Sequence, residues 1–147
     1  MFLYSLLALA VVTALIFAAP LKAKVWATLA VVAAGALWAS ATAVGVLAGG
    51  HTVRLWATDV FLFGSDAGSM DPLSALFALI VSVGAVAAVL YSRGYLAHYL
   101  GRKSPTHISL HYTALATMFY AMLGVVTSEG GFSFLFFWEL MTVASFL

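Results

Sequence analysis

The feature that most constrains this chain is a series of long apolar runs separated by short polar segments. A helix needs about 20 mostly apolar residues to cross the hydrocarbon core of a bilayer. Five such runs follow one another, the last of them cut short where the sequence stops: Met1–Ala19, Val25–Ala48, Asp71–Tyr91, Thr106–Val126 and Phe132–Leu147. The pattern predicts an all-α fold, a polytopic bundle of about five transmembrane helices that forms a single domain over residues 1–147.

The composition excludes an ordinary soluble domain. Hydrophobic residues make up 65% of the chain and charged residues only 7%, whereas a soluble domain carries roughly 25% charged residues. The net charge of +1 gives no reason to expect a nucleic-acid partner. The absence of cysteine removes disulfides, thiolate zinc sites and cysteine-ligated iron–sulfur clusters. We therefore expect no redox centre, cofactor or metal in this chain.

Two segments leave alternatives open. The first run, Met1–Ala19, ends at Pro20 and is predicted to be a span. It could instead be a signal peptide, although no positive charge precedes its apolar stretch. The segment His51–Met70 is too polar to cross a bilayer, and apolar residues alternate with polar ones over part of it. This alternation predicts a short extended or hairpin segment, with an irregular aromatic loop as the alternative.

The basic residues predict an orientation in the membrane. They are concentrated in the loops after the first and third runs: Lys22 and Lys24, then Arg93, Arg102 and Lys103. The loops after the second and fourth runs contain only Arg54 as a basic residue. Because short cytoplasmic loops carry the excess of lysine and arginine, we expect a multi-pass protein of the cell inner (plasma) membrane with its amino terminus outside.

Glu139 is the one charged residue in the fifth apolar run. If the helix begins near Gly131, Glu139 lies about 12 Å along it, close to the middle of a core about 30 Å thick. An ionisable group there costs about 2.5 kcal/mol or more, so it is a candidate proton relay. Its helical neighbours Leu135, Thr142 and Val143 carry no charge, and a cation would have to come from another helix or chain. The alternative is a glutamate satisfied by backbone or hydroxyl groups, or one nearer the surface.

The other polar residues have simpler interpretations. His107 and His111 share a helix face with His98 nearby, but interfacial histidines are favoured over a metal or haem site. Asp66 and Glu129 are predicted to be solvated loop acids. Asp71, placed before a proline, is predicted to cap a helix.

Three stretches together resemble one family of membrane proteins. They are Met70–Phe77 at the start of the third run, Val89–Leu96 at the following junction, and Phe137–Phe146, which contains Trp-Glu-Leu-Met-Thr followed by Ser-Phe. These motifs are similar to those of the antiporter-like, proton-conducting subunits of respiratory complex I, Mrp antiporters and group 4 membrane-bound hydrogenases. The nearest likeness is to the hydrogenase or formate-hydrogenlyase type, and it covers residues from about Met70 to Leu147.

The resemblance implies a function and partners. It identifies the chain as the amino-terminal part of a larger subunit, in which Glu139 would be the glutamate that pairs with a lysine on a later helix. The expected function is proton translocation in a redox-driven complex of the NADH dehydrogenase or hydrogenase type, with other membrane subunits, protons or sodium ions, and the lipid bilayer as partners. The alternatives are an Mrp-type sodium/proton antiporter subunit, an inactive or structural membrane fragment and, more remotely, a membrane cytochrome.

Overall fold

The chain folds mainly into helices, with one two-stranded hairpin between them. The structure, a computed structural model, describes residues 11, 14–20, 23–60, 64–97 and 104–147. Residues 14–18 are helical and precede the named elements. These elements are α1 (Lys24–Gly49), β1 (Val53–Val60), β2 (Gly64–Met70), α2 (Pro72–Ala97), α3 (Pro105–Thr127) and α4 (Gly131–Phe146).

Three of these helices are long and apolar enough to cross a membrane, as in a multi-pass membrane protein: α1, α2 as far as Leu96, and α3. Of the five predicted spans, these three helices have the length and composition of a span in the described residues, so five helical segments are seen rather than five spans. Helix α4 corresponds to the fifth run, which was predicted to be cut short, and it has 16 residues. The run Met1–Ala19 and its signal-peptide alternative lie largely outside the described residues.

The polar segment between α1 and α2 is an antiparallel hairpin, which confirms the extended alternative. Its register runs from Val53 opposite Met70 to Val60 opposite Gly64, with an irregularity between Arg54 and Trp56. Residues 61–63 lie outside the described part of the chain. The hairpin therefore occupies the end of the bundle where α1 ends and α2 begins.

Side-chain caps begin two of the long helices. Asp71 accepts a hydrogen bond of 2.7 Å from the Ser74 amide, which confirms the predicted cap of α2. Ser104 stands at the N-cap of α3, where its side chain accepts from the His107 amide. The proline that follows each capping residue suits the first helical turn, where an N–H would have no helical partner.

The core is formed by α1, α2 and α3. The most extensive helix interface joins α1 and α2, and it is built mainly from small buried residues: Thr28, Val32, Ala36, Ala39, Ala43 and Val46 on α1, and Ala75, Ala78, Ser82 and Val89 on α2. Small residues allow helix backbones to approach closely in a membrane bundle. Helix α3 joins this pair through Tyr120, whose hydroxyl donates to the Val31 carbonyl of α1 at 2.9 Å.

Large apolar side chains also cover the outside of the bundle. Among the most exposed are Leu37, Trp38, Ile80, Val83 and Tyr91 on the long helices. An apolar exterior of this kind suits lipid or neighbouring helices rather than water.

Candidate functional site

Glu139 lies in the middle of α4, on an exposed side of the helix. It is eight residues beyond Gly131, which corresponds to about 12 Å of helix. Together with Gly131, Phe132, Leu135 and Phe136 it lines an open groove of about 520 Å³. Apart from the Glu139 carboxylate, the lining of this groove is apolar. Glu139 is therefore a single ionisable group on an otherwise apolar surface.

Within the described ranges, no lysine, arginine or histidine forms an ion pair with Glu139. The sequence led us to expect its cation from another helix or chain, and the groove leaves the carboxylate accessible to one. The role of Glu139 as a proton relay remains a prediction.

Helix α4 has few buried residues to hold it against the rest of the molecule. Only Ser133 and Ala144 are buried on it. Between them, the ring of Phe137 lies so close to Gly124 of α3 that a β-carbon at Gly124 would overlap it. The position of α4 therefore depends strongly on what its first turn contacts.

That first turn is held by Asp66 of β2. Asp66 Oδ2 accepts from the Ser133 amide at 2.8 Å, and Oδ1 accepts from the Ser133 hydroxyl at 3.0 Å. Oδ1 also accepts from the amide of Ala67 at 2.9 Å. The prediction that Asp66 is a solvated loop acid was wrong: the residue is only 5% exposed. It is buried because it caps a helix distant in sequence, where free amides and the helix dipole favour a carboxylate.

The loop before α4 is also attached to the hairpin. Gly68 and Ser128 form an isolated antiparallel bridge, and the Glu129 amide donates to the Ala67 carbonyl at 2.9 Å. Glu129 is exposed, as expected for a loop acid, and its carboxylate accepts from the Ser69 hydroxyl. We call these contacts, together with those of Asp66, the hairpin anchor of α4.

Gly130 allows the Asp66 carboxylate to lie very close to the backbone before α4. A β-carbon at this position would overlap the Asp66 carboxylate. Glycine at the N-cap of α4 therefore lets the aspartate reach the amide of Ser133.

Asp71 is a second capping aspartate at the same end of the molecule. The Ser74 amide that donates to it, with a smaller contribution from the Ser74 side chain, lowers the pKa of Asp71 from its usual value of 3.8. The carboxylate is thus stabilised in its charged form. Unlike Asp66, it caps its own helix and does not contact α4.

At the opposite end, two basic residues have structural partners. Lys24 is buried, and its ammonium donates to the carbonyls of Ile16 and Phe17 at 2.8 and 2.9 Å. Arg93 lies 5.2 Å from the centre of the Trp26 ring, within the range of a cation–π contact. Lys24 was interpreted only as a topology signal, whereas it also ties the preceding helical residues to α1. Three other basic residues of this end lie outside the described part of the chain: Lys22, Arg102 and Lys103.

Two of the three histidines considered as metal or haem ligands lie in the described residues, both on α3. His107 is exposed and His111 is partly buried on α3, and His98 lies outside the described residues. In the part of the chain that the structure covers, no group of three histidine, cysteine, aspartate or glutamate residues could hold a metal ion.

Sequence reasoning missed the pairing of Asp66 with Ser133. The two residues are 67 positions apart, and neither stands in a local pattern that specifies the other. The available signals were a serine in the first turn of an apolar helix and a glycine before it, and these are typical of many helix starts.

Known proteins match this chain over about half of its length. It is 35% identical over 78 residues to a Staphylococcus saprophyticus protein named "Putative antiporter subunit mnhA2", a match that covers 53% of this chain and 9% of that relative. The protein of the same name from Staphylococcus aureus strain JH9 matches with the same identity and coverage. No protein-family model matches the chain.

These matches make the chain a distant, partial homologue of antiporter subunits. They agree with the resemblance to the antiporter-like family that the sequence analysis described, because that family includes antiporter subunits. The match covers only 9% of the length of these relatives. It therefore does not assign their activity as whole proteins to this chain.

Proposed function

We propose that this chain is part of a membrane subunit that translocates ions in the manner of a sodium/proton antiporter of the Mrp type, with Glu139 as its proton relay. The observation that carries the proposal is a single carboxylate in the middle of an apolar helix, within a chain homologous to antiporter subunits. An ionisable residue in such a helix is expensive, and function is the usual reason to keep it.

The geometry supports a relay at Glu139. The carboxylate lies on an open apolar face of α4, where a partner from another helix can reach it. A cation that approaches along the groove would favour the charged form and release the proton. The resemblance to the antiporter-like family implies that this cation is a lysine from a later helix.

The relatives favour an antiporter over a redox-driven subunit. Both are named as antiporter subunits, and the redox driver that the resemblance to hydrogenase-type subunits implied has no support from them. By analogy with these relatives, we infer that the chain works together with other membrane subunits in one complex.

The experiment measures sodium/proton exchange in vesicles that contain the full-length protein with its partner subunits. A sodium gradient is imposed, and proton movement is followed with a pH-sensitive dye in wild type, Glu139→Gln and Asp59→Asn. Asp59 is an exposed acid on β1 and serves as the matched control. We expect Glu139→Gln to abolish sodium-dependent proton movement, because glutamine cannot carry the proton, while Asp59→Asn retains it.

Other outcomes distinguish the alternatives. Full proton movement in Glu139→Gln would rule out the relay. Proton movement that needs a quinone reductant and ignores sodium would favour a redox-driven subunit. If the assembled wild type moves no protons, a structural role is favoured.

A further inference from the structure

The acid that holds the first turn of α4 belongs to another element. Asp66 lies on β2, 67 positions before Ser133, and uses both carboxylate oxygens on that residue. Ser133 is completely buried and Asp66 nearly so. Without Asp66 the buried amide of Ser133 would lose its partner, which is unfavourable, whereas the Ser133 hydroxyl could still donate to the Gly130 carbonyl at 3.2 Å.

Beyond its first turn, α4 packs against α3, where the Phe137 ring lies against Gly124, but few of its side chains are buried. Ala144 is its only other buried residue, and the side of the helix that carries Leu135 and Glu139 faces the open groove. Since an α-helix is stiff along its axis, a change at its first turn is passed on to later residues. Glu139 is six residues beyond Ser133, or about 9 Å along the helix.

We propose that Asp66 is a positioning residue: by anchoring the first turn of α4 to the hairpin, it sets the depth and orientation of Glu139 relative to the rest of the bundle. The proposal rests on the proposed function of Glu139. Its two carboxylate oxygens accept three hydrogen bonds in a buried site, so the proposed role of Asp66 is to hold the helix.

A matched control is available at the same end of the molecule. Asp71 also caps a helix with its carboxylate, but that helix is α2, and its partner Ser74 is three residues away. Asp66→Ala and Asp71→Ala therefore each remove one aspartate cap, and only Asp66→Ala removes a contact with the first turn of α4.

The test uses the full-length protein, with its partner subunits, in a background without other cysteines. This stretch contains none, so Leu135→Cys adds a single thiol to the groove beside Glu139. Two readouts are taken for each variant: the rate of sodium-driven proton movement and the rate at which a membrane-impermeant maleimide labels the thiol. Leu135→Cys alone provides the reference for both rates.

We expect Asp66→Ala to slow proton movement by about tenfold or more, because small displacements of a reacting group have large effects on rate. We also expect it to speed labelling several-fold, since the first turn of α4 loosens. Asp71→Ala should change neither rate. Asp66→Asn should give rates between those of Asp66→Ala and the reference, because asparagine keeps only one of the two acceptor oxygens.

The outcomes separate the two proposals. Wild-type rates in Asp66→Ala, or equal effects of Asp66→Ala and Asp71→Ala, would overturn the positioning role. If Asp66→Ala does not assemble, Ser133→Ala, which removes only the hydroxyl, should give smaller changes in the same directions, and no change would overturn the role. If Glu139→Gln retains full exchange, the proposed function fails, while the labelling rates still decide whether Asp66 anchors α4.

Discussion

The carboxylates of Asp66 and Asp71 have similar roles at the amino ends of two helices. Asp71 accepts from an amide three residues away, and Asp66 from an amide 67 residues away. The first contact is local, so the sequence Asp71-Pro72 was enough to predict it. The second depends on the hairpin folding back onto the loop before α4. No local rule predicts such a contact, and for that reason Asp66 was mistaken for a solvated acid.

Asp71 makes a pH-dependent contribution to stability. Its pKa is lower in the folded state than its usual value of 3.8. A lowered pKa in the folded state stabilises the fold above the unfolded value, and this stabilisation is lost as the pH falls through the folded value. We expect Asp71→Ala to lower the free energy of unfolding by about 1 kcal/mol at neutral pH.

The measurement is thermal unfolding of wild type and Asp71→Ala from pH 7 to pH 3. The difference between the two should be constant down to about pH 4 and should shrink below it. A difference that grows as the pH falls would contradict the assignment of Asp71 as a charged cap.

At the scale of elements, the contact between α3 and α4 depends on one glycine. The Phe137 ring occupies the space that a β-carbon at Gly124 would need. We expect Gly124→Ala to destabilise the protein by about 1–3 kcal/mol, as overpacking usually does. Gly84→Ala in α2 is the control, because nothing lies within 4 Å of the β-carbon that it adds.

The measurement is the thermal unfolding temperature of both variants in the same detergent. Gly84→Ala should be neutral or slightly stabilising, since alanine favours helix more than glycine does. The double variant Gly124→Ala, Phe137→Leu should recover part of the loss. Equal unfolding temperatures for Gly124→Ala and Gly84→Ala would show that the ring does not hold the two helices at this distance.

Local patterns predicted most elements. Alternating residues indicated the hairpin, and the apolar run Thr106–Val126 predicted α3 to within a residue at each end. The five apolar runs predicted five spans, and three helices of the described residues have the length and composition of one. Helix α4 begins at Gly131, next to the hairpin anchor, and corresponds to the fifth run.

At the scale of the whole molecule, the acidic residues are concentrated at the hairpin end of the bundle, where Arg54 is the only lysine or arginine of the described part. Four acids lie at the hairpin end or in the loop bonded to it: Asp59, Asp66, Asp71 and Glu129. Lys24 and Arg93 lie at the opposite end. If the orientation inferred from the basic loops is right, the hairpin faces the outside of the cell.

This orientation is tested with one cysteine at each end. Ser65 is exposed on β2, and Thr106 is exposed at the start of α3. We expect an impermeant maleimide to label Ser65→Cys in intact cells and Thr106→Cys only after the cells are permeabilised. The opposite pattern would show that the orientation is reversed.

The most direct test of the central claim follows the proton on Glu139 itself. Infrared difference spectra of the full-length protein are recorded between sodium-loaded and sodium-free states, in wild type, Glu139→Gln and Asp59→Asn. If Glu139 is the relay, a band from a protonated carboxyl group changes in wild type and in Asp59→Asn and is absent from Glu139→Gln. The same band in Glu139→Gln would show that another group carries the proton and would contradict the assignment.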